Sequence, residues 1–309
     1  MSDVDEEKGM TTKLSGAARL MHLILRMTGL KRMFVDESRL RTQIESARQQ
    51  QLTPYQLPKM RLQSVVHKEH IAGLQVITLE PKHASSSKSV VYLHGGAYLF
   101  APSGGHWQML DAIATQSGVR MVVPIYPRLP QYTVDDALPA LLNLIQHVQQ
   151  RSAVVLAGDS AGGGLAVSLA IEMRERHMQP AQALILMSPW LDVSMDHPDI
   201  PHYEAGDLVI SAPGLRALGQ MWAGNRGVRD AWVSPLYADL TDLPPMTMIV
   251  GGVELFVPDC RAFQAKADTA GVVLDYREFD ECMHAFMLLP TPEGRAAQKM
   301  MIERLLTIG

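Results

Sequence analysis

Cysteine is nearly absent from this chain of 309 residues; Cys260 and Cys282 are the only two. Two cysteines do not make a disulfide framework, so the fold must rest on a packed core, and both are read as free thiols. No cluster has the spacing of metal ligands. An excess of basic residues is absent too: 28 Lys and Arg stand against 32 Asp and Glu, a net charge of −4. That balance gives no footprint for nucleic acid. No uninterrupted apolar run reaches the roughly 18 residues of a membrane span, so no stable membrane insertion is expected. The N-terminus, Met-Ser-Asp-Val-Asp-Glu-Glu-Lys, is acidic and unlike a secretory signal, and a cytoplasmic location is the expectation. No internal repeat is visible. What remains is a globular protein, 47% hydrophobic and 19% charged, with residues enough for a sizeable core.

One stretch organises the rest. Ala153 to Leu156 is a short apolar run with β-branched members, the pattern of a strand buried on both faces. It enters Gly158-Asp159-Ser160-Ala161-Gly162, a G-x-S-x-G sequence. Leu165 to Arg176 then has apolar residues at helical spacing, with charges gathering late. Strand, glycine-flanked serine and helix are the context of a nucleophile elbow. Small neighbours let two backbones pass closely at so sharp a turn. A glycine-rich turn that merely packs, or one that cradles a phosphate, is the plainer reading of the pentapeptide alone. Partners elsewhere decide between them.

Residues 1 to about 12 read as disordered. An amphipathic helix spans Ala17 to Gly29 with Arg19 and Arg26 on its polar side, and a polar helix covers Asp36 to about Gln50. A cap folded on the protein's own body is preferred here to a membrane-surface anchor, because basic charge is sparse. Leu62 to Lys68 and Leu74 to Leu79 form a hairpin at the sheet edge, followed by a solvent loop from His83. Strands at Val90 to Leu93, Val119 to Ile125, Ala183 to Met187, Met246 to Val250 and Val272 to Phe279 alternate with helices. That rhythm predicts a mostly parallel sheet with right-handed crossovers. It breaks between Leu191 and Asp230, which reads as an insertion. The expected division is therefore N-terminal cap helices over 1–55, core over 56–190, cap insertion over 191–232 and core again over 233–309.

A serine hydroxyl needs a base, and the base needs a third group to orient it. His177 ends the helix that follows Ser160, and His197 and His202 fall in the insertion. His284 instead follows the last predicted strand, in a loop at its C-terminal end, where open α/β sheets place their chemistry. The acid belongs after the preceding strand, where Glu254 and Asp259 both qualify by order. Glu254 is preferred because it lies nearer the strand end; Asp259 could equally cap the next helix. The amides of His94-Gly95-Gly96-Ala97, after another strand, are candidate donors to a developing oxyanion, together with Ala161.

These motifs, taken together, resemble the hormone-sensitive-lipase-like branch of the α/β-hydrolases, mostly carboxylesterases. The resemblance rests on His94 to Ala97, Tyr126-Pro-Arg-Leu-Pro130, Gly158 to Gly163, Ser234-Pro-Leu236, Leu243-Pro-Pro245, Gly251 to Glu254 with Asp259, and His284-Ala-Phe286. It implies the α/β-hydrolase fold with a helical cap. It implies Ser160 as nucleophile, His284 as base, Glu254 as acid, and oxyanion donors among Gly95, Gly96, Ala97 and Ala161. His94 would organise the oxyanion loop. Two positions depart from the family pattern: Ala97 replaces a third glycine, and Glu254 stands where aspartate is commoner.

The reading is a serine carboxylesterase acting on short- to medium-chain acyl esters, with no metal or organic cofactor. Lactone or amide hydrolysis on the same triad is the near alternative. A non-catalytic small-ligand receptor on this fold is the distant one, and it has no need of a base such as His284. Small-molecule esters are the expected partners, and the resemblance also admits a homodimer through the edge of the last strand.

Overall fold

Each strand of the central sheet supplies side chains to two cores at once. The computed structural model describes residues 13–83 and 86–308; the disorder expected before residue 13 lies outside them. Three helices come first: α1 (Gly16–Thr28), α2 (Arg32–Val35) and α3 (Glu37–Gln50). The hairpin β1 (Val65–Ile71) and β2 (Leu74–Glu80) leads to β3 (Lys88–Leu93), α4 (Gly104–Ser117) and β4 (Arg120–Ile125). Then follow α5 (Val134–Gln149), β5 (Ala153–Asp159), α6 (Ala161–Glu175) and β6 (Leu184–Met187). Helices α7 (Ile200–Glu204) and α8 (Ala212–Ala223) interrupt before β7 (Met246–Gly251), α9 (Val257–Thr269), β8 (Leu274–Phe279) and α10 (Pro292–Thr307).

The strands lie in the order β1-β2-β4-β3-β5-β6-β7-β8. Only β2 runs against its neighbours; it pairs antiparallel with β1 and β4, and every other pairing is parallel. Alternation along the strands decides which core each residue joins. Val91 and Leu93, Val154 and Leu156, and Leu184 and Leu186 face one side, with buried residues of α5, α6 and α9. Val90 and Tyr92, Val155 and Ala157, and Ile185 and Met187 face the other, with Trp107 of α4 and Met301 of α10. Both faces are covered, which is why these strands read as continuous apolar runs.

Two helices were not legible beforehand. α5 holds Pro139, which breaks the apolar pattern, yet eight of its residues are buried and Thr133 and Asp136 form a capping box at its start. α2 is a single turn. The region between Leu191 and Asp230 is not wholly irregular, since α7 and α8 lie within it. It packs on the N-terminal helices: a methyl group on Gly214 of α8 would collide with the backbone of Phe34. Among the described residues no helix is long and apolar enough to cross a membrane.

Candidate active site

Ser160 stands between β5 and α6 with φ +52° and ψ −123°, in a region an L-residue enters only under strain. Glycines make the turn possible. A methyl on Gly162 would strike the Leu93 carbonyl, and one on Gly158 would strike the Gly162 carbonyl. Ser160 donates its amide to Met187 at 2.9 Å, and its carbonyl accepts the Trp190 amide at 2.9 Å. The strained backbone is thereby tied to the end of β6 and to the segment that follows it.

The loop after β8 brings His284 to this serine, and its Nε2 lies 3.0 Å from Ser160 Oγ. Its other nitrogen, Nδ1, lies 3.3 Å from Glu254 Oε1. The second carboxylate oxygen of Glu254 accepts from Ser188 Oγ at 2.6 Å and from the Gly251 amide at 3.0 Å. The three predicted residues therefore meet in one buried line. Burial alone would depress the imidazole pKa; the charge and hydrogen bond of Glu254 outweigh it, aided by Asp207 and Asp159, and the pKa ends above the ordinary value.

Asp259 is not part of this line. It sits in the first turn of α9, whose N-cap is Phe256, so the capping role considered for Asp259 is also corrected. Neither of its oxygens has a hydrogen-bond partner among the described residues. Burial, with the nearby charge of Asp192, pushes its carboxyl up to about 8. Sequence reasoning missed two other groups. Ser188, with φ +44°, holds Glu254. Asp207, in the loop between α7 and α8, accepts the Leu255 amide at 3.1 Å, beside Glu254. Order along the chain carries no signal for either.

The loop after β3 is anchored by the aspartate of the elbow. Asp159 Oδ1 accepts from Tyr92 Oη at 2.6 Å and from the Gly95 amide at 2.7 Å. Its Oδ2 lies 3.2 Å from His106 Nε2. The Ser103 amide donates to His106 Nδ1, which leaves the proton on Nε2, facing Asp159. Burial works against the charge of Asp159, but these contacts overcome it and hold its carboxyl down to about 2. The geometry corrects one expected donor: the Gly95 N–H is already given to Asp159. Gly96 and Ala97, at φ +118° and +52°, donate their amides to no acceptor among the described residues. Ala161 is the first residue of α6, where N–H groups lack intrahelical partners.

His94 is fully buried, with Nδ1 2.8 Å from the Gly95 carbonyl and its ring stacked on Tyr126 at 4.4 Å. Burial and the Arg128 charge hold its pKa well below the usual imidazole range, so it shapes the loop as a neutral ring. A row of buried aromatic rings runs from α8 to the site. Trp222 of α8 stacks on Tyr98 at 4.1 Å, Tyr98 on Trp190 at 5.5 Å, and Trp190 on Phe256 at 6.0 Å. Phe256 meets the His284 ring edge-on at 5.0 Å. Among the described residues no group of three or more His, Cys, Asp or Glu is placed to hold a metal ion.

Residues 90–288 match the sequence model of a family described by the alpha/beta hydrolase fold. The chain belongs to this family. An acetyl-hydrolase of Streptomyces hygroscopicus is 30% identical over 68% of this α/β-hydrolase and 72% of its own length. A triacylglycerol lipase of Mycobacterium tuberculosis is 32% identical over 72% of this chain and 47% of its own. Among solved structures, an esterase of the bacterial hormone-sensitive lipase family superposes with a TM-score of 0.74 at 26% identity. That match covers 88% of this α/β-hydrolase and 99% of the esterase, in the branch that the motifs resemble.

Proposed function

We propose that this α/β-hydrolase, a carboxylic ester hydrolase by family, cleaves short- to medium-chain acyl esters through an acyl-enzyme on Ser160. The observation that carries the reading is the hydrogen-bonded line from Ser160 through His284 to Glu254, at 3.0 and 3.3 Å. In this reading Ser160 Oγ attacks the ester carbonyl as His284 Nε2 takes its proton. Glu254 holds the imidazole in the Nδ1–H tautomer and stabilises the imidazolium. The oxyanion rests on the free amides of Gly96, Ala97 and Ala161. His284 returns the proton to the departing alcohol, then activates the water that releases the acid. Residues 13–55 and 191–232 serve as its cap, the enzyme works in the cytoplasm, and the edge strand β8 is where a homodimer would pair.

A fluorophosphonate label combined with a panel of acyl esters of rising chain length tests this. One adduct should form, on the peptide containing Ser160, and Ser160→Ala should be inactive. Each buried CH₂ adds roughly 0.8 kcal/mol, so kcat/KM should climb with acyl length and fall once the pocket is full. Labelling elsewhere, activity in Ser160→Ala, or a preference for long-chain triglyceride emulsions over soluble esters would overturn it.

A further inference from the structure

Helix α1 turns an apolar stripe away from the protein. Leu20, Leu23, Ile24 and Met27 recur at i, i+3, i+4 and i+7, the spacing of one helical face. That face meets solvent, with exposures of 58, 55, 44 and 80%. Leu30 and Val35 prolong it beyond the helix, at 37 and 58%. The inner side of α1 is also apolar: Ala18 is buried, and Leu25, with Leu14 just before the helix, packs against the core that holds residues of α4 and α10. Packing on the body therefore accounts for one side of the helix and, among the described residues, leaves the other uncovered.

Within residues 13–35 the charges have a single sign, the acids Glu204 and Glu281 reaching only the two ends of that segment, at Lys31 and Leu14. Lys13, Arg19, Arg26, Lys31 and Arg32 lie between residues 13 and 35, and no Asp or Glu does. Lys31 is engaged at the Glu204 and Asp207 carbonyls, whereas Lys13, Arg19, Arg26 and Arg32 are exposed. This charge pattern discriminates between occupants. A second copy packing α1 on α1, in either direction, would set arginines beside their counterparts with no acid on either helix to pair them. An anionic lipid surface supplies both an apolar boundary and phosphate groups.

We propose that α1 and the turn into α2 form a peripheral docking surface for an anionic phospholipid bilayer. The stripe lies in the acyl boundary, and the cations lie among the headgroup phosphates. Residues 1–12 carry four acids and one lysine, which offsets part of this charge and makes apolar burial the larger contribution. Docking is then reversible, as expected of one short amphipathic helix. It also orients the molecule. The cleft bounded by Leu25, Val35, Ala205, Asp207 and Leu208 opens beside the stripe, so the cap that holds Asp207 faces the bilayer. The proposal does not depend on the triad reading.

Co-sedimentation with vesicles tests it, comparing phosphatidylcholine alone with an equimolar mixture of phosphatidylcholine and phosphatidylglycerol. The protein should bind the mixed vesicles in preference, and added salt should weaken binding. The double variant Leu23→Glu/Met27→Glu should bind at least about tenfold more weakly, with an unchanged melting temperature because both side chains are exposed. Arg19→Gln/Arg26→Gln should keep part of the binding and lose most of its salt dependence. No binding to mixed vesicles, or equal binding by the Leu23/Met27 variant, would refute the proposal. So would self-association that the same variant abolishes, which would assign the stripe to a second copy.

Discussion

Asp207, in the loop between α7 and α8, accepts the Leu255 amide at 3.1 Å, one residue from Glu254. Its other oxygen holds the Val209 and Ile210 amides, and its carbonyl takes a hydrogen bond from Lys31. The turn between α1 and α2, the segment between α7 and α8 and the loop bearing Glu254 thus converge on one residue, the first through its carbonyl and the other two through its carboxylate. Its charge also favours the protonated form of His284.

Asp207→Asn should therefore shift the acid limb of kcat/KM to lower pH. A base works only when deprotonated, so activity falls as pH drops through the His284 pKa. Removing a neighbouring negative charge lowers that pKa, and the variant retains relatively more activity in acid. A pH profile of both proteins settles the matter; an unshifted limb with a lower melting temperature would leave Asp207 a purely structural role.

Glu254→Gln should cost turnover on the order of 10³-fold or more, by analogy with the roughly 10⁴-fold loss in a serine protease triad. Asp259→Asn should leave kcat within about threefold, because its carboxyl makes no hydrogen bond to the line. The check is kcat for both variants at saturating substrate. The reverse pattern would transfer the acid's role to Asp259.

Asp259 should instead govern how stability varies with pH. Its folded pKa, pushed up to about 8, lies far above the ordinary carboxyl value of 3.8. Folding then takes up a proton, and stability falls as pH rises from about 4 towards about 8, by at most about 1.4 kcal/mol per pH unit. Asp259→Asn removes that slope. Melting temperatures across this window should show the variant gaining on the parent as pH rises, and a constant gap would argue against a neutral buried carboxyl.

Ser188→Ala withdraws the 2.6 Å hydrogen bond to Glu254 Oε2 and leaves that oxygen the Gly251 amide. A hydrogen bond to a charged group contributes roughly 1.5–3 kcal/mol, and kcat should drop about tenfold. KM for a soluble butyrate ester should change little, since Ser188 faces the acid and not the substrate. Unaltered kcat would mean that Gly251 and the loop position Glu254 unaided.

Ser160 and His284 were legible because a contiguous motif and an order along the chain point to them. Glu254 and Asp259 could not be separated that way, since both follow β7 and the decision is one of direction. Ser188 and Asp207 act on residues 66 and 48 positions away, and nothing local marks either. Gly95 looked like a donor until the Asp159 carboxylate was placed against it. Alternation and length disclosed the strands, while Pro139 concealed α5. The Arg19 and Arg26 side of α1 was apparent from periodicity; that its apolar stripe would remain outside was not, because burial is decided by what packs opposite.

The order of the site along the chain has a consequence for synthesis. Ser160 emerges 124 residues before His284, and the strands β6, β7 and β8 lie between them. On the proposed triad, a growing chain that has completed the elbow holds a glycine-bedded serine still without its base. On that reading competence arrives only after the last strand has joined the sheet, which would make ester turnover a readout of finished folding and keep unfinished chains chemically silent.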